Sequence, residues 1–261
     1  MISGRWDLQE ATARSTRARV CHVEVSPLRS RTRMTNGGDT TSSDALPQGV
    51  SFRRHEPGDI KACGRLARQA WPAGPGKASK DVEQASMEEY MQHALDSSNW
   101  ADIACADGRM IGFLFGRIDG LDAVPEQSHL GETVSLSRSI LEHDGRDLRL
   151  LGFIWSLALT ELKLKLNTPP SDASVEMFIV DSEWRGKGVG SALLERFLQA
   201  AGGARARVVT VYTDDLMSDW RFYERRGFRV VATFHDNITS YYSGSRARGI
   251  IFSLDLAHQA P

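Results

Sequence analysis

Residues 175–190 (VEMFIVDSEWRGKGVG), running directly into SALLERFLQAA, constrain this chain more than any other stretch. An apolar run gives way to a basic, glycine-rich turn and then to a helical pattern. The sequence therefore predicts strand, tight turn and helix in immediate succession. The first-turn amides of such a helix have no carbonyl partners of their own, and with the helix dipole they form a site for an anion such as phosphate. Three alternate glycines, Gly186, Gly188 and Gly190, remove side chains from a backbone that must approach a diphosphate closely.

Other phosphate-binding loops fit poorly. A dinucleotide fingerprint needs G-x-G-x-x-G, and Ser191 stands where its third glycine belongs. A P-loop needs Gly-Lys followed by Ser or Thr, whereas Gly186-Lys187 is followed by Gly188 and no glycine lies five positions upstream. What does match is Arg185, Gly188 and Gly190, preceded by an apolar strand that ends at Val180. These residues resemble the signature of the GNAT superfamily of acyl-CoA-dependent N-acyltransferases: Arg or Gln, two residues, Gly, one residue, Gly or Ala.

A second segment supports the resemblance. Residues 207–213 (RVVTVYT) read as a strand, and residues 218–228 (SDWRFYERRGF) as a short helix ended by a glycine. Tyr223, Gly227 and Phe228 are similar to the family's second signature, a Tyr four residues before Gly-Phe. One common form of that signature carries an Asn near the helix start; here Asp215 and Asp219 are the capping candidates. Packing between helix and sheet is the alternative reading of Tyr223. Phe222 and Phe228 are read as core.

The resemblance covers about residues 50–254. It implies an α/β (α+β) fold with a mixed, largely antiparallel sheet of about six to seven strands flanked by helices. It also implies acetyl-CoA as acyl-donor cosubstrate, without a metal. The strand before the cradle would splay from its neighbour and offer the backbone of Met177, Phe178, Ile179 and Val180 to the pantetheine arm and acetyl carbonyl. Arg185, Gly186, Lys187, Gly188, Val189, Gly190 and Ser191 would hold the diphosphate. Tyr223 would donate a hydrogen bond or proton to the departing thiolate. Glu176 is the candidate base, since strict strand alternation puts it on one face with Phe178 and Val180, next to the thioester; an edge-facing structural role is its alternative. The expected acceptor is a small-molecule primary amine. Alternatives are a protein Lys or N-terminus, and a non-catalytic acyl-CoA sensor.

Composition narrows the classes. With 32 Lys plus Arg against 33 Asp plus Glu, the chain lacks a basic nucleic-acid footprint. Cys21, Cys63 and Cys105 are too few and too scattered for a disulfide framework or a zinc site, so a reducing cytoplasm is expected. Residues 1–48 combine early arginines with a polar run and lack the apolar content to offset ordering entropy. They are expected to be a disordered extension, not a secretory signal, with Met34 as an alternative start. The acetyltransferase domain is placed at 49–256.

Within it, 50–54, 101–106, 110–118, 230–235 and 250–254 read as strands, with a hairpin turn at Asp107-Gly108. The run MIGFLFGRI is apolar on both faces, hence central in its sheet. Residues 60–71 read as a helix, followed by a PAGPGK loop. A second helix is signalled by a capping box at Ser86–Glu89, with Met87, Tyr90, Met91, Ala94 and Leu95 as its core stripe.

Residues 119–173 form an insertion. Its acidic first part would favour a cationic amine if it bordered the cleft. Its tail, LRLLGFIWSLALTELKLKL, reads as a helix too charged to span a membrane. The sheet, the acceptor cleft or a second copy in a homodimer are the surfaces it could pack against. Tyr241-Tyr242 is placed in the loop between the last two strands, where it could grip a peptide; ordinary surface tyrosines are the alternative.

Overall fold

The computed structural model describes residues 46–71, 80–122 and 148–259, all within one unit, Ser42–Pro261. Nearly all of the expected extension, the PAGPGK loop, residues 123–147 of the acidic segment and the side chains of Ser86, Glu89 and Tyr242 lie outside the described residues.

The elements run β1 (Val50–Arg54), α1 (Ile60–Ala70), α2 (Lys80–Asp96), β2 (Trp100–Ala106), β3 (Arg109–Ile118), α3 (Leu148–Asn167), β4 (Ala173–Val180), α4 (Val189–Gly203), β5 (Val208–Asp214), α5 (Arg221–Arg225), β6 (Arg229–Asp236), α6 (Asn237–Ser243) and β7 (Ala247–Asp255). The strands form one seven-stranded sheet in the order β1-β2-β3-β4-β5-β7-β6. Every neighbouring pair is antiparallel except β4 and β5. The β2–β3 hairpin turns at Asp107 and Gly108, both at positive φ, as an Asp-Gly turn requires. β3 is buried along nearly its whole length, as expected of a strand apolar on both faces.

Two cores flank the sheet. On one face α4 lays Val189, Leu193, Leu194, Phe197 and Ala201 against Leu114, Val175, Val209 and Val211. Phe197 reaches so close that a Cβ on Gly116 of β3 would lie 2.4 Å from its ring. Arg196 of α4 adds a 2.7 Å ion pair to Asp102, fully buried in β2. On the other face α1 and α2 pack Cys63, Leu66, Met91 and Ala94 against Phe113, Phe115, Met177 and Ile179.

Three expectations need correction. The helix α2 starts six residues before Ser86, which places Ser86 and Glu89 in its interior, so they do not begin it. Tyr90, on that helix, is 49% exposed and stands beside Trp71 instead of in the core. Tyr241 and Tyr242 belong to helix α6, because Asp236 accepts the Thr239 amide as an N-cap and Gly244 closes the helix in the left-handed conformation.

Among the described residues no helix is long and apolar enough to cross a membrane. α3 is docked by its polar residues. Thr160 accepts the amides of Asn237 and Ile238, and Lys163 donates to the His235 carbonyl and to Asn237 Oδ1. Trp155, Leu159, Leu162 and Leu166 remain exposed along the helix.

Candidate active site

The only parallel junction of the sheet is also its shortest. β4 and β5 pair over Ala173–Val175 and Val209–Val211 and then separate. From Glu176 to Val180 the β5 side of β4 has no strand partner, although β3 stays paired on the other side as far as Val180. A backbone edge in mid-sheet therefore lacks a strand partner, and apart from the Val180 carbonyl, which accepts from Arg185, its groups on that side are not taken up by β5.

The turn after β4 is built by local capping. Asp181 accepts the Glu183 amide at 3.0 Å, and Arg109 approaches its carboxylate at 3.3 Å. Gly186 at φ 72° and Gly188 at φ 80° are left-handed, a conformation that strains any residue with a Cβ. Gly188 is the N-cap of α4, and the first amide to find a carbonyl in the helix is Ala192, bonded to Gly188. The amides of Val189, Gly190 and Ser191 precede it and point out of the helix end.

Gly190 has a different reason from the other two. Its absent Cβ would sit 3.3 Å from Phe178 and 3.4 Å from Val180, so it lets α4 close onto β4. Of the basic residues, Arg185 folds back and donates to the Val180 carbonyl at 3.1 Å, while the Lys187 ammonium stands 5.1 Å from the Trp184 ring.

Tyr223, on α5, belongs to the α4-side core that Phe178 and Val180 of β4 also pack against. Its ring is 8% exposed and packs against Phe222, Phe228 and Phe252 at centroid distances of 5.4–5.7 Å. Among the described residues its hydroxyl has no hydrogen-bond partner. Burial pushes the phenol above its ordinary range, so it stays neutral and is a poorer proton donor than a free tyrosine.

Neither Asp215 nor Asp219 caps this helix, whose N-cap position is Trp220. Asp215 pairs with Arg248 and Asp219 with Arg225, while Asp214 takes the amides of Leu216 and Met217. The Asp214 carboxyl is raised by burial, a shift that those two amides oppose.

Glu176 is not where strict alternation puts it. The β3–β4 register steps from Phe115↔Met177 to Gly116↔Val175, leaving Glu176 as the extra residue of a β-bulge. The bulge shifts the phase of the strand. Val175 shares the α4-side core with Phe178 and Val180, at odd spacing, and Met177 and Ile179 face α1 and α2.

Glu176 accepts a hydrogen bond from the Ser174 hydroxyl, and Ser174 alternates away from Ala173 and Val175. The carboxylate therefore sides with Met177, opposite Phe178 and Val180. It stands one residue beyond the last β4–β5 pair. Tyr212 is fastened by a 2.7 Å bond from its hydroxyl to the buried Asp236.

The sequence alone does not single out Ser174, which donates to Glu176, or Arg226, which reaches the start of α4. Arg226 at the end of α5 donates to Ser191 in the first turn of α4. The pair Arg225-Arg226 was visible in the sequence, but only the helix phase tells which of the two faces α4.

Residues 62–228 match the model of the Acetyltransferase (GNAT) family. The chain belongs to the GNAT acetyltransferase family. It is thus an acyltransferase, and its mixed seven-stranded sheet is the GNAT-like fold.

Similar solved structures include a putative GNAT acetyltransferase from Desulfovibrio desulfuricans, 18% identical with TM-score 0.44, over 79% of this chain and 99% of that one. The ribosomal-protein-S18-alanine N-acetyltransferase from Escherichia coli is 14% identical with TM-score 0.44, over 79% and 93%. An agmatine N-acetyltransferase mutant is 15% identical with TM-score 0.46, over 80% and 100%. No curated protein sequence matches the chain.

Within this GNAT member the unpaired end of β4, Met177–Val180, runs directly into the predicted cradle residues, and Tyr223 shares the α4-side core with Phe178 and Val180. Glu176 begins that unpaired stretch but is turned toward the α1–α2 side of the sheet.

Proposed function

We propose that this acetyltransferase transfers an acetyl group from acetyl-CoA to the primary amine of a small molecule, by direct attack in a ternary complex. The observation that carries the reading is the free edge of β4 from Glu176 to Val180, ending in a turn where two left-handed glycines lead into unpaired helix amides. The residues present fit such a donor. The amides of Val189, Gly190 and Ser191 suit a diphosphate. The free β4 edge suits an extended amide-bearing arm, in the manner of an added strand. When bound, the donor supplies the thioester carbonyl to be attacked.

The division of the sheet into two faces supports a division of labour. The cradle lies at the N-terminus of α4, and Glu176 looks the other way, toward α1 and α2. An acceptor entering from that side meets the carboxylate at the bulge. An alkyl amine with a pKa of about 10.4 is protonated at neutral pH, and removing its proton costs roughly 4 to 5 kcal/mol. In this reading Glu176 accepts that proton, directly or through water.

Tyr223 donates a hydrogen bond to the thiolate as it departs. Its raised pKa makes complete proton transfer more uphill than for a free phenol, which favours the hydrogen-bonding role. The test is thiol release from acetyl-CoA across a panel of small amines and peptides. Release with small amines supports the reading, and release with peptides alone replaces the acceptor class.

A further inference from the structure

We propose that Arg226 is a phosphate-binding residue for the acyl donor, a cation brought from α5 to the cradle on α4; this rests on the acetyl-CoA reading above. The Arg226 guanidinium donates through Nη2 to the Ser191 hydroxyl and lies 5.6 Å from the centre of the Phe222 ring. Ser191 is the third residue of α4, at the positive end of the dipole of a 15-residue helix.

A cation placed there opposes the dipole. Arg226 has no described carboxylate to compensate it, whereas its neighbour Arg225 pairs with Asp219 at 2.8 Å. Arg185 and Lys187 flank the same turn, and among the described residues neither has an acidic partner. Three uncompensated cations around one helix N-terminus repel each other and the helix end. A diphosphate turns each of those repulsions into attraction, and an arginine fork can bond two of its oxygens at once.

The placement also couples binding to chemistry. Arg226 follows Tyr223 by three residues at the end of a five-residue helix. A donor held jointly by the α4 amides and Arg226 therefore ties α5 to α4, and fixes the Tyr223 hydroxyl relative to the free edge of β4. The sequence signature that contains Tyr223 would then serve both ends of the donor.

The experiment is calorimetric titration of the full chain with CoA at low and high salt, for wild type, Arg226→Gln and Arg225→Gln, with melting temperatures of the ligand-free proteins. Arg226→Gln should bind CoA about tenfold more weakly, the worth of one charge-assisted hydrogen bond. Its affinity should also fall less with salt, since one screened charge is gone. Arg225→Gln should stay within about twofold of wild type, its exposed ion pair being worth little.

The ligand-free melting temperature of Arg226→Gln should be equal to or above wild type, because the charge opposes the helix dipole. Unchanged CoA affinity in Arg226→Gln would overturn the assignment, as would a lowered ligand-free melting temperature, which would mark a packing role. If wild type itself fails to bind CoA, the acetyl-CoA reading falls first and takes this one with it.

Discussion

Replacing Tyr223 with Phe separates packing from the catalytic role proposed for it, because the ring makes the packing contacts and the proposal places the chemistry on the hydroxyl. The ring lies among Phe222, Phe228 and Phe252 and would be kept. The hydroxyl has no partner among the described residues, so its removal breaks no hydrogen bond in the ligand-free protein. The expected stability change is within about 0.5 kcal/mol, because the ring packing is kept and no hydrogen bond within the protein is lost. In the proposed reaction the same hydroxyl donates to a developing thiolate. A hydrogen bond to a charged group is worth about 1.5–3 kcal/mol, so kcat should fall by roughly 10- to 150-fold.

The comparison with Tyr223→Ala fixes the scale. That change empties a core site and should cost about 3–5 kcal/mol of stability. The assays are thermal and urea melts, and thiol release from acetyl-CoA with the best amine of a panel. Losses of stability and rate in the same proportion for Tyr223→Phe would refute the reasoning, as would an undiminished rate.

Gly116→Ala should destabilise the fold by about 1–3 kcal/mol, because the new methyl meets the Phe197 ring at 2.4 Å and the Ser174 carbonyl at 2.9 Å; urea denaturation reads this directly, and a Phe197→Leu background should recover part of it. Asp59→Asn should cost about 1–2 kcal/mol at neutral pH, since Asp59 is held at 2.6 and 2.7 Å by Arg53 and accepts the Glu56 amide.

The Arg53 guanidinium lowers the Asp59 carboxyl below its ordinary value, so its contribution is complete above about pH 4 and disappears as pH falls through the lowered value. Melts from pH 7 downward should show mutant and wild type converging. Glu176→Gln should leave CoA binding intact and depress kcat most at low pH, where the acceptor amine most needs a base; a pH–rate profile parallel to wild type would reject the role.

Much of this arrangement was legible because it is local. Alternating apolar residues and turn glycines placed β1, the β2–β3 hairpin and the β4-turn-α4 cradle, and two short signatures pointed to the family. Patterns failed where a tertiary contact overrides a local rule. Period two predicts Glu176 beside Phe178, and one inserted residue in the β3–β4 ladder reverses it. Ser86–Glu89 has the letters of a helix start, yet α2 runs through them. Asp215 and Asp219 have capping chemistry but are drawn to Arg248 and Arg225. The approach of Arg226 to Ser191 joins residues 35 apart in the chain, and nothing in the spacing of either segment announces it.

The central claim is that the turn between β4 and α4 binds the phosphates of an acyl donor. Its most direct test is the melting temperature with saturating acetyl-CoA, against NADH and ATP. A ligand at about 100 times its dissociation constant adds roughly 2.7 kcal/mol, which for a domain of this size is about 5 to 10 °C. The account predicts a shift of that size with acetyl-CoA alone. No shift at millimolar acetyl-CoA, or equal shifts with all three nucleotides, would contradict it.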